Sequence, residues 1–223
     1  MSQKCTQLHS LFNNMEKHFF QDNYSEKIPQ KGIYIMFEKG EKAHQADRIV
    51  RIGTHTGKYS LLKDRIREHF EGWRSVFRGK VGAAIINQSR LEGSSFWSEE
   101  DLIDWGKSWK KGFLRRQERF KNRGRIEQFE EANKLVNKYL RDNISFVCIE
   151  MTNLEERKYF ESRLISTISN CKECQKSDSW LGNYSTRQKV RESGLWQEKE
   201  LWEDDLTETD IDRLKHIVES NVI

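Results

Sequence analysis

Proline and apolar residues are scarce in this chain. Among 223 residues the only proline is Pro29, so long proline-rich linkers are excluded. Hydrophobic residues make up 35% of the chain and charged residues 33%, so a large share of it must form exposed helix surface rather than core. The length still suffices for one sizeable core. We therefore expect a single domain across residues 1–223.

Long apolar runs are absent as well. No segment approaches the roughly 18 consecutive apolar residues of a membrane span, and the N-terminus lacks the apolar stretch of a signal peptide. Cysteine is limited to Cys5, Cys148, Cys171 and Cys174. In a chain rich in Lys and Glu, these features predict reduced thiols and a cytoplasmic location.

The pair Cys171-Lys172-Glu173-Cys174 has the spacing of half a zinc site. A structural zinc site needs four ligands, and no second pair stands at a suitable spacing in the sequence. Cys5 and His9 are far from the pair along the chain. Two ordinary thiols are therefore the favoured interpretation.

The net charge of +4 conceals a strong segregation of charge along the chain. Residues 48–125 contain 19 Lys and Arg against 9 Asp and Glu, a balance of +10, whereas residues 198–223 contain 3 against 9, a balance of −6. A basic middle segment is typical of proteins that bind a polyanion such as nucleic acid. Solvated helix faces are the alternative, and charge alone favours them.

The first part of the chain contains two predicted strands and a helix. Residues 32–37 and 48–52 carry β-branched and aromatic residues bounded by glycine, which predicts two short strands. The polar residues 38–47 between them predict a turn-rich connection in an antiparallel hairpin. The helix that follows places Arg65 and His69 four residues apart, so both side chains lie on one helix face.

The remaining periodicity predicts helices around one more strand. A strand over residues 144–151 should complete a three-stranded, mainly antiparallel sheet. Asn153 followed by Glu156 has the pattern of a capping box at the start of a helix. The fold class is therefore mixed α/β (α+β), a small sheet flanked by helices. Helices are predicted over residues 3–20, 76–86, 126–140, 153–169 and 207–220.

Residues 87–143 are predicted to form a helical basic insertion before the last strand, and residues 198–223 an acidic segment with the C-terminal helix. The insertion interleaves tryptophan and phenylalanine with many cations. Such a surface can neutralise phosphates and stack on bases. A solvent-exposed helix whose aromatic residues pack inward is the alternative, and the sequence does not choose between them. The cations proposed to contact a nucleic acid are Lys110, Lys111, Arg115, Arg116 and Arg119.

Five short motifs, taken in their order, resemble the GIY-YIG nuclease family. They are Gly32-Ile33-Tyr34, Arg51-Ile52-Gly53, Arg65-x-x-x-His69, Glu161 on a later helix, and Asn183 in Leu181-Gly182-Asn183. The family usually begins its second motif with tyrosine, where this chain has Arg51. A bacterial branch of the family resembles this chain in carrying Arg-Ile/Val-Gly-Thr-His there, which would make Arg51 a feature of that branch.

The resemblance implies a site that cleaves phosphodiester bonds. Tyr34 is the candidate general base, His69 the group that takes its proton, and Arg65 the cation that binds phosphate. Glu161 would hold Mg²⁺ or Mn²⁺. Arg51 would either pair with phosphate or favour the deprotonated form of Tyr34.

Two further sets of residues are candidates for substrate binding. Gly53, Thr54 and His55 open a loop with several hydrogen-bond donors, which suits a phosphate and is equally ordinary as a capping loop for the next helix. Asn183 stands where the family often has a late asparagine. It lies in residues 180–197, a segment that mixes aromatic and basic side chains.

The most favoured function is that of a Mg²⁺-dependent endonuclease acting on DNA. The alternative, motivated by Arg51, is a nucleic-acid-binding module that kept the nuclease fold and lost cleavage. A third interpretation is a protein-interaction domain that uses the tryptophan-rich insertion, which predicts no salt-dependent affinity for DNA. Likeness of fold does not choose among restriction, repair and mobile-element roles.

Overall fold

Helices surround a small antiparallel sheet in the computed structural model, which describes residues 2–20, 26–57, 60–72, 75–106 and 112–220. This architecture confirms the mixed α/β class predicted from the sequence. None of the helices in these ranges is both long enough and apolar enough to cross a membrane. The helices are α1 (Ser2–Asn13), α2 (Leu62–Phe70), α3 (Val76–Leu91), α4 (Glu99–Gly106), α5 (Gly112–Asn122), α6 (Ile126–Asn143), α7 (Leu154–Ser169), α8 (Gln188–Ser193) and α9 (Glu208–Ser220).

The sheet contains four strands within the described residues, one more than the sequence predicted. Their spatial order is β1-β4-β2-β3, and every neighbouring pair is antiparallel. The additional strand, β1, covers part of the edge of β4 with only two residues. The strands are β1 (His18–Phe19), β2 (Gly32–Ala43), β3 (Ala46–Thr54) and β4 (Ile144–Glu150).

The hairpin formed by β2 and β3 is longer than predicted. Residues 38–47 are mostly strand, and the chain reverses at His44 and Gln45, which adopt positive φ angles of 51° and 62°. Two successive residues in this conformation are typical of a type I′ hairpin turn. The predicted antiparallel hairpin is confirmed, but the predicted length of its connection was wrong, because some polar groups of residues 38–47 are buried in pairs within the strands. Glu41 and Arg48, for example, are both buried and lie 2.6 Å apart.

Each face of the sheet carries its own hydrophobic core, because successive strand residues point to opposite sides. Ile33 and Ile35 of β2 belong to the core shared with α1, α7 and α9. Tyr34 and Met36 belong to the core on the other face, shared with α2, α3 and α6. The side chain of Tyr34 therefore points to one face of the sheet, whereas Glu161 is carried by α7, which packs on the opposite face.

The N-terminal helix is shorter than predicted. It ends at Asn13 instead of extending to Phe20. His18 pairs with Phe146 on β4, so the backbone after the helix bonds to the sheet instead of continuing the helix. The apolar pattern predicted too long a helix because Phe20 is also apolar and packs against the core residues Phe70 and Phe146, although it lies beyond the helix.

The other predicted helices are confirmed as α3, α6, α7 and α9. Asn153 caps α7 by accepting the N–H groups of Glu155 and Glu156 at 2.9 and 3.1 Å. One of the two glycines in α3, Gly82, is explained by packing. A Cβ added to Gly82 would stand 2.3 Å from Trp105 Nε1, so the absence of a side chain admits the indole.

Inward packing accounts for most of the described aromatic residues between α3 and β4. Trp97, Trp105 and Phe120 are buried in the core that includes Tyr34. Trp105 donates from Nε1 to the Gly79 carbonyl at 3.2 Å, which fixes α4 on α3. This is one of the two roles that the sequence left open for these side chains. Trp109 lies outside the described residues.

Candidate active site

Tyr34 and Gly53 occupy directly opposite positions on β2 and β3. The phenol of Tyr34 lies across the glycine, because a Cβ added to Gly53 would stand 2.2 Å from Tyr34 Oη. Any side chain at residue 53 would therefore displace the phenol. The glycine of the second motif is required by this close approach.

Hydrogen bonds connect Tyr34 to α2 and to the start of α3. Tyr34 Oη lies 2.7 Å from His69 Nε2, and His69 Nδ1 lies 2.9 Å from Ser75 Oγ. Burial lowers the pKa of His69 well below its usual value, and the charges of Arg51 and Arg65 act in the same direction. The imidazole is therefore neutral near pH 7 and has one acceptor nitrogen.

Arg51 contacts Tyr34 directly. Its Nε donates to Tyr34 Oη at 3.3 Å, and its Nη1 donates to the Trp196 carbonyl at 2.7 Å. The guanidinium also lies over the ring of Phe77, 5.0 Å from the ring centre. When Nδ1 carries the imidazole proton and donates to Ser75 Oγ, His69 Nε2 accepts the phenol hydrogen while Tyr34 Oη accepts from Arg51. The phenol thus has a ready acceptor for its proton.

Glu161 reaches the free edge of β3 from α7. Its Oε1 accepts the Thr54 N–H at 3.1 Å, while the Thr54 hydroxyl donates to the Gly32 carbonyl at 2.6 Å. Burial raises the pKa of Glu161, although the Thr54 hydrogen bond and the charges of Arg51 and Arg65 act to lower it. Both arginines thus favour the charged form of this carboxylate.

Tyr34 and Glu161, which come from opposite faces of the sheet, contact neighbouring residues of β3. Tyr34 lies across Gly53, and Glu161 binds the N–H of the next residue, Thr54. They can meet because β3 is the outer strand of the described sheet, so its outward N–H groups are open to side chains. The next outward N–H along β3, that of Ile52, is bound by Gln197 Oε1 at 2.9 Å.

A cleft of about 670 Å³ opens beside Glu161. Arg65 lies in its wall and forms an ion pair with Glu68 at 2.5 Å. Burial acts to lower the pKa of Arg65, but Tyr34, Glu68 and Glu161 outweigh it and raise that pKa. Tyr34 and His69 are fully buried behind the cleft rather than on its surface. The remaining lining residues are Thr54, His55, Thr56, Gly57, Ser60 and Asp64.

His55 is the most unusual residue of this lining. Its side chain is 3% exposed, yet neither ring nitrogen has a hydrogen-bond partner among the described residues. Burial lowers its pKa to about 4, with Arg157 and Lys31 acting in the same direction. A buried, neutral imidazole without a partner is costly unless a ligand satisfies it.

Asn183 makes contacts of another kind. Its amide Nδ2 donates to the carbonyls of Ser177 and Asp178, both at 3.0 Å. These bonds fix the loop that precedes the 3₁₀ turn Leu181–Tyr184. Asn183 is not among the residues that line the cleft, and substrate binding by this residue stays a prediction.

The predicted cations of the insertion differ in their surroundings. Arg116 is buried, donates from Nε to the Trp105 carbonyl at 3.0 Å, and has a pKa lowered to about 9 by burial and by Arg119. Arg119 donates to the Asp104 carbonyl at 2.8 Å. Arg115 is exposed. Lys110 and Lys111 lie outside the described residues.

Several contributors to this region were not predicted from the sequence. Ser75 orients His69, and the segment with Trp196 and Gln197 binds the edge of β3. Lys80 is buried, pairs with Glu198 at 3.0 Å, and has a pKa lowered to about 8 by burial and by the nearby Arg51. The serine before the predicted helix was the one available signal, since serine is a common N-cap.

The fold and the cleft together define a class of protein: a small α/β domain with its polar site at the edge of an antiparallel sheet. The chain belongs to the GIY-YIG family, because the family model described as GIY-YIG domain matches residues 2–222. Membership implies a nuclease-type function, and nucleases of this family generally depend on a divalent metal ion. Comparison with curated proteins found no match, and comparison with solved structures found none either.

Proposed function

We propose that this protein is a Mg²⁺-dependent endonuclease that hydrolyses phosphodiester bonds in DNA. The observation that carries the proposal is the convergence at Gly53 and Thr54 of a phenol, two guanidiniums and a carboxylate from separate segments. Hydrolysis of a phosphodiester needs an activated water and neutralisation of the charge at phosphorus. These residue types supply both.

Glu161 is the residue that would hold the metal ion. Thr54 binds its Oε1, and Glu161 is one of the residues that line the cleft. Mg²⁺ usually binds through one or two carboxylates and keeps several waters, so a single glutamate fits it. When bound, the ion would supply charge neutralisation at the phosphate and the leaving oxygen.

The protein's own groups provide a proton route. For Tyr34 to accept a proton from the attacking water, its own proton passes to His69 Nε2 along the 2.7 Å contact. The imidazolium so formed is disfavoured by Arg51 and Arg65 in the free protein. A phosphate bound to these arginines would weaken that opposition, so proton transfer is favoured when substrate is present.

DNA would reach the site along the basic part of the chain. We propose that the insertion over residues 87–143 contributes contacts to phosphates, with Arg115, Lys110 and Lys111 as direct contacts. Arg116 and Arg119 would act indirectly, by holding the helices of the insertion in place, since both donate hydrogen bonds to backbone carbonyls within the insertion. The free thiols of the described chain support a cytoplasmic location.

The test is nicking of supercoiled plasmid with Mg²⁺ and with chelator. We expect nicking in Mg²⁺ only, and its loss in Glu161→Ala and in Tyr34→Phe, each by about 100-fold or more. Glu155→Ala is the matched control, because Glu155 lies on the same helix, is exposed, and within the described residues forms its ion pair with Lys158, at 3.0 Å. Activity that survives Glu161→Ala would contradict the proposal.

A binding module without cleavage is the second candidate. It is favoured by Arg51 at the position of the usual tyrosine and by the full burial of Tyr34 and His69. This alternative predicts salt-dependent DNA binding by the unmodified protein with no nicking under any divalent metal ion. A nicking assay on the unmodified protein alone therefore distinguishes the endonuclease from the binding module.

A further inference from the structure

Four metal-ligating side chains converge on the sheet face opposite Tyr34. One ligand atom from each of Cys5, His9, His44 and Cys174 lies within 4.8 Å of all the others. Cys171 adjoins them, with its Sγ 3.5 Å from His44 Nε2. These five residues, here called the Cys/His cluster, come from α1, from the β2–β3 turn and from the segment after α7. Chain segments more than a hundred residues apart thus meet at one point.

The hydrogen bonds of the two histidines resemble those of metal ligands. His9 Nδ1 bonds to the Cys5 carbonyl at 2.9 Å, which leaves Nε2 3.7 Å from Cys174 Sγ. His44 Nδ1 lies 3.0 Å from Thr6 Oγ1, which leaves Nε2 facing Cys171. Metal-bound histidines usually bond the outer ring nitrogen to a protein oxygen in this way. The Ile49 N–H also approaches His9 Nε2, at 3.2 Å, and a metal ion would replace that bond.

The turn that carries His44 is strained. Its φ of 51° and that of Gln45, 62°, are conformations in which hairpin turns favour asparagine and glycine. A non-glycine residue in this region costs of order 1 kcal/mol and persists where its surroundings hold it. Here the strain places the imidazole of His44 over α1, 5.1 Å from that of His9 between ring centres.

We propose that the Cys/His cluster is a structural zinc site with Cys5, His9, His44 and Cys174 as ligands. Zinc sites of two cysteines and two histidines are tetrahedral, with bonds of about 2.0 to 2.3 Å. Ligand atoms around such an ion are roughly 3.3 to 3.8 Å apart, so the observed separations close with small side-chain movements. Binding would release the protons of the two thiols to solvent. Cys5, His9 and Cys174 are buried, as in closed structural sites.

The test measures zinc in the full chain purified without added chelator. We expect one zinc per chain, and tetrahedral thiolate absorption bands when Co²⁺ replaces it. Removal of zinc with a strong chelator should lower Tm by about 5 to 10 °C, and added Zn²⁺ should restore it. Cys5→Ala combined with Cys174→Ala should abolish binding. Cys148→Ala and His216→Ala are controls, since Cys148 and His216 lie outside the cluster.

Several results would overturn the inference. One is a well-folded protein with less than a tenth of the stoichiometric zinc and no change of Tm with chelator. Another is a disulfide between Cys5 and Cys174 in protein that never contained metal. Loss of zinc in Cys171→Ala with retention in His9→Ala would overturn the ligand set, whereas retention in Cys171→Ala supports it. The unmodified protein decides the first two outcomes even if a variant fails to fold.

Discussion

The cleft at the edge of β3 and the Cys/His cluster are both polar sites built on one sheet, and they differ in every other respect. The cleft is open, about 670 Å³ in volume, and carries charged groups such as Arg65 and Glu161. The cluster is mostly buried and consists of thiols and imidazoles. An open site with oxygen ligands suits a metal ion and a substrate that exchange with solvent. A closed site with sulfur and nitrogen ligands suits a metal ion that stays bound.

Because the two sites differ in this way, we expect substitutions in one site to leave the properties of the other unchanged. Changes in the cleft should remove nuclease activity and leave the metal content of the cluster and the Tm largely as they were. Changes in the cluster should lower Tm. Substitutions in and around the cleft test this separation.

Gly53→Ala should have the largest effect. The new Cβ would meet Tyr34 Oη at 2.2 Å and the ring carbon Cζ at 2.5 Å, so the phenol must move away from Arg51 and His69. We expect a loss of nicking of about 100-fold and a destabilisation of about 1 to 3 kcal/mol from overpacking. Plasmid nicking and urea denaturation measure the two effects.

Gly106→Ala is the matched control for this substitution, because a Cβ at Gly106 would meet nothing within 4 Å. It should leave activity and zinc content unchanged. A Gly53→Ala protein with full activity would show that the contact between phenol and glycine is unimportant. A Gly53→Ala protein that lost zinc would break the separation between the two sites.

His55→Gln should change the pH dependence of stability. The pKa of His55 is lowered to about 4 in the folded protein, so the unfolded chain binds more protons between about pH 6.5 and pH 4. Stability from this group is therefore full above pH 6.5 and falls as the pH is lowered. We expect the unmodified protein to lose about 1 to 2 kcal/mol from this source between pH 7 and pH 5, a loss that His55→Gln removes.

Urea denaturation at the two pH values gives this difference directly. His216→Gln is the control, because His216 is on the surface of α9. His69 is neutral and buried for a similar reason, so a residual slope is expected in the variant. An unchanged slope in His55→Gln would mean that His55 is already satisfied in solution. Phosphate added at pH 5 should stabilise the unmodified protein more than His55→Gln, because Arg65 remains in the cleft of both.

Arg115→Ala should have the smallest effect. Its side chain is exposed and has no ion pair within the described part of the chain, so loss of one phosphate contact is expected without loss of stability. The slope of log affinity against log salt should decrease by about 0.9. Fluorescence anisotropy with labelled duplex DNA measures it, and Lys39→Ala, at an exposed position of β2 outside the insertion, is the control. An unchanged slope would remove α5 from the proposed DNA contacts.

The arrangement of Tyr34, Arg65 and His69 was predictable from the sequence because it depends on local spacings. Arg65 and His69 lie on one face of a helix at a spacing of four, and strand alternation places Tyr34 on the same side as that helix. Gly53 follows from the motif, although the sequence does not reveal that the phenol lies across it. The role of Ser75 depends on where α3 begins, which periodicity gives only approximately.

Other parts were not predictable, for identifiable physical reasons. Glu38 and Glu41 read as loop residues, yet both are buried and bonded to side chains from the distant segment 177–196. The Cys/His cluster joins residues whose separation in sequence gives no spacing rule. His55 gave no sign that it would be buried without a partner. All three features depend on contacts between segments that are far apart in the chain. Such contacts leave no periodic pattern in a single sequence.

The carboxylate of Glu38 has a consequence for measurement. Its Oε2 accepts the indole N–H groups of Trp180 and Trp196 at 3.0 and 2.8 Å, and the two indoles lie 5.1 Å apart. The carbonyl of Trp196 also bonds to Arg51. Any shift of Arg51 toward an arriving phosphate therefore pulls on an indole pair next to a buried carboxylate. We therefore expect intrinsic tryptophan emission to change when a ligand reaches Arg51, without any attached dye.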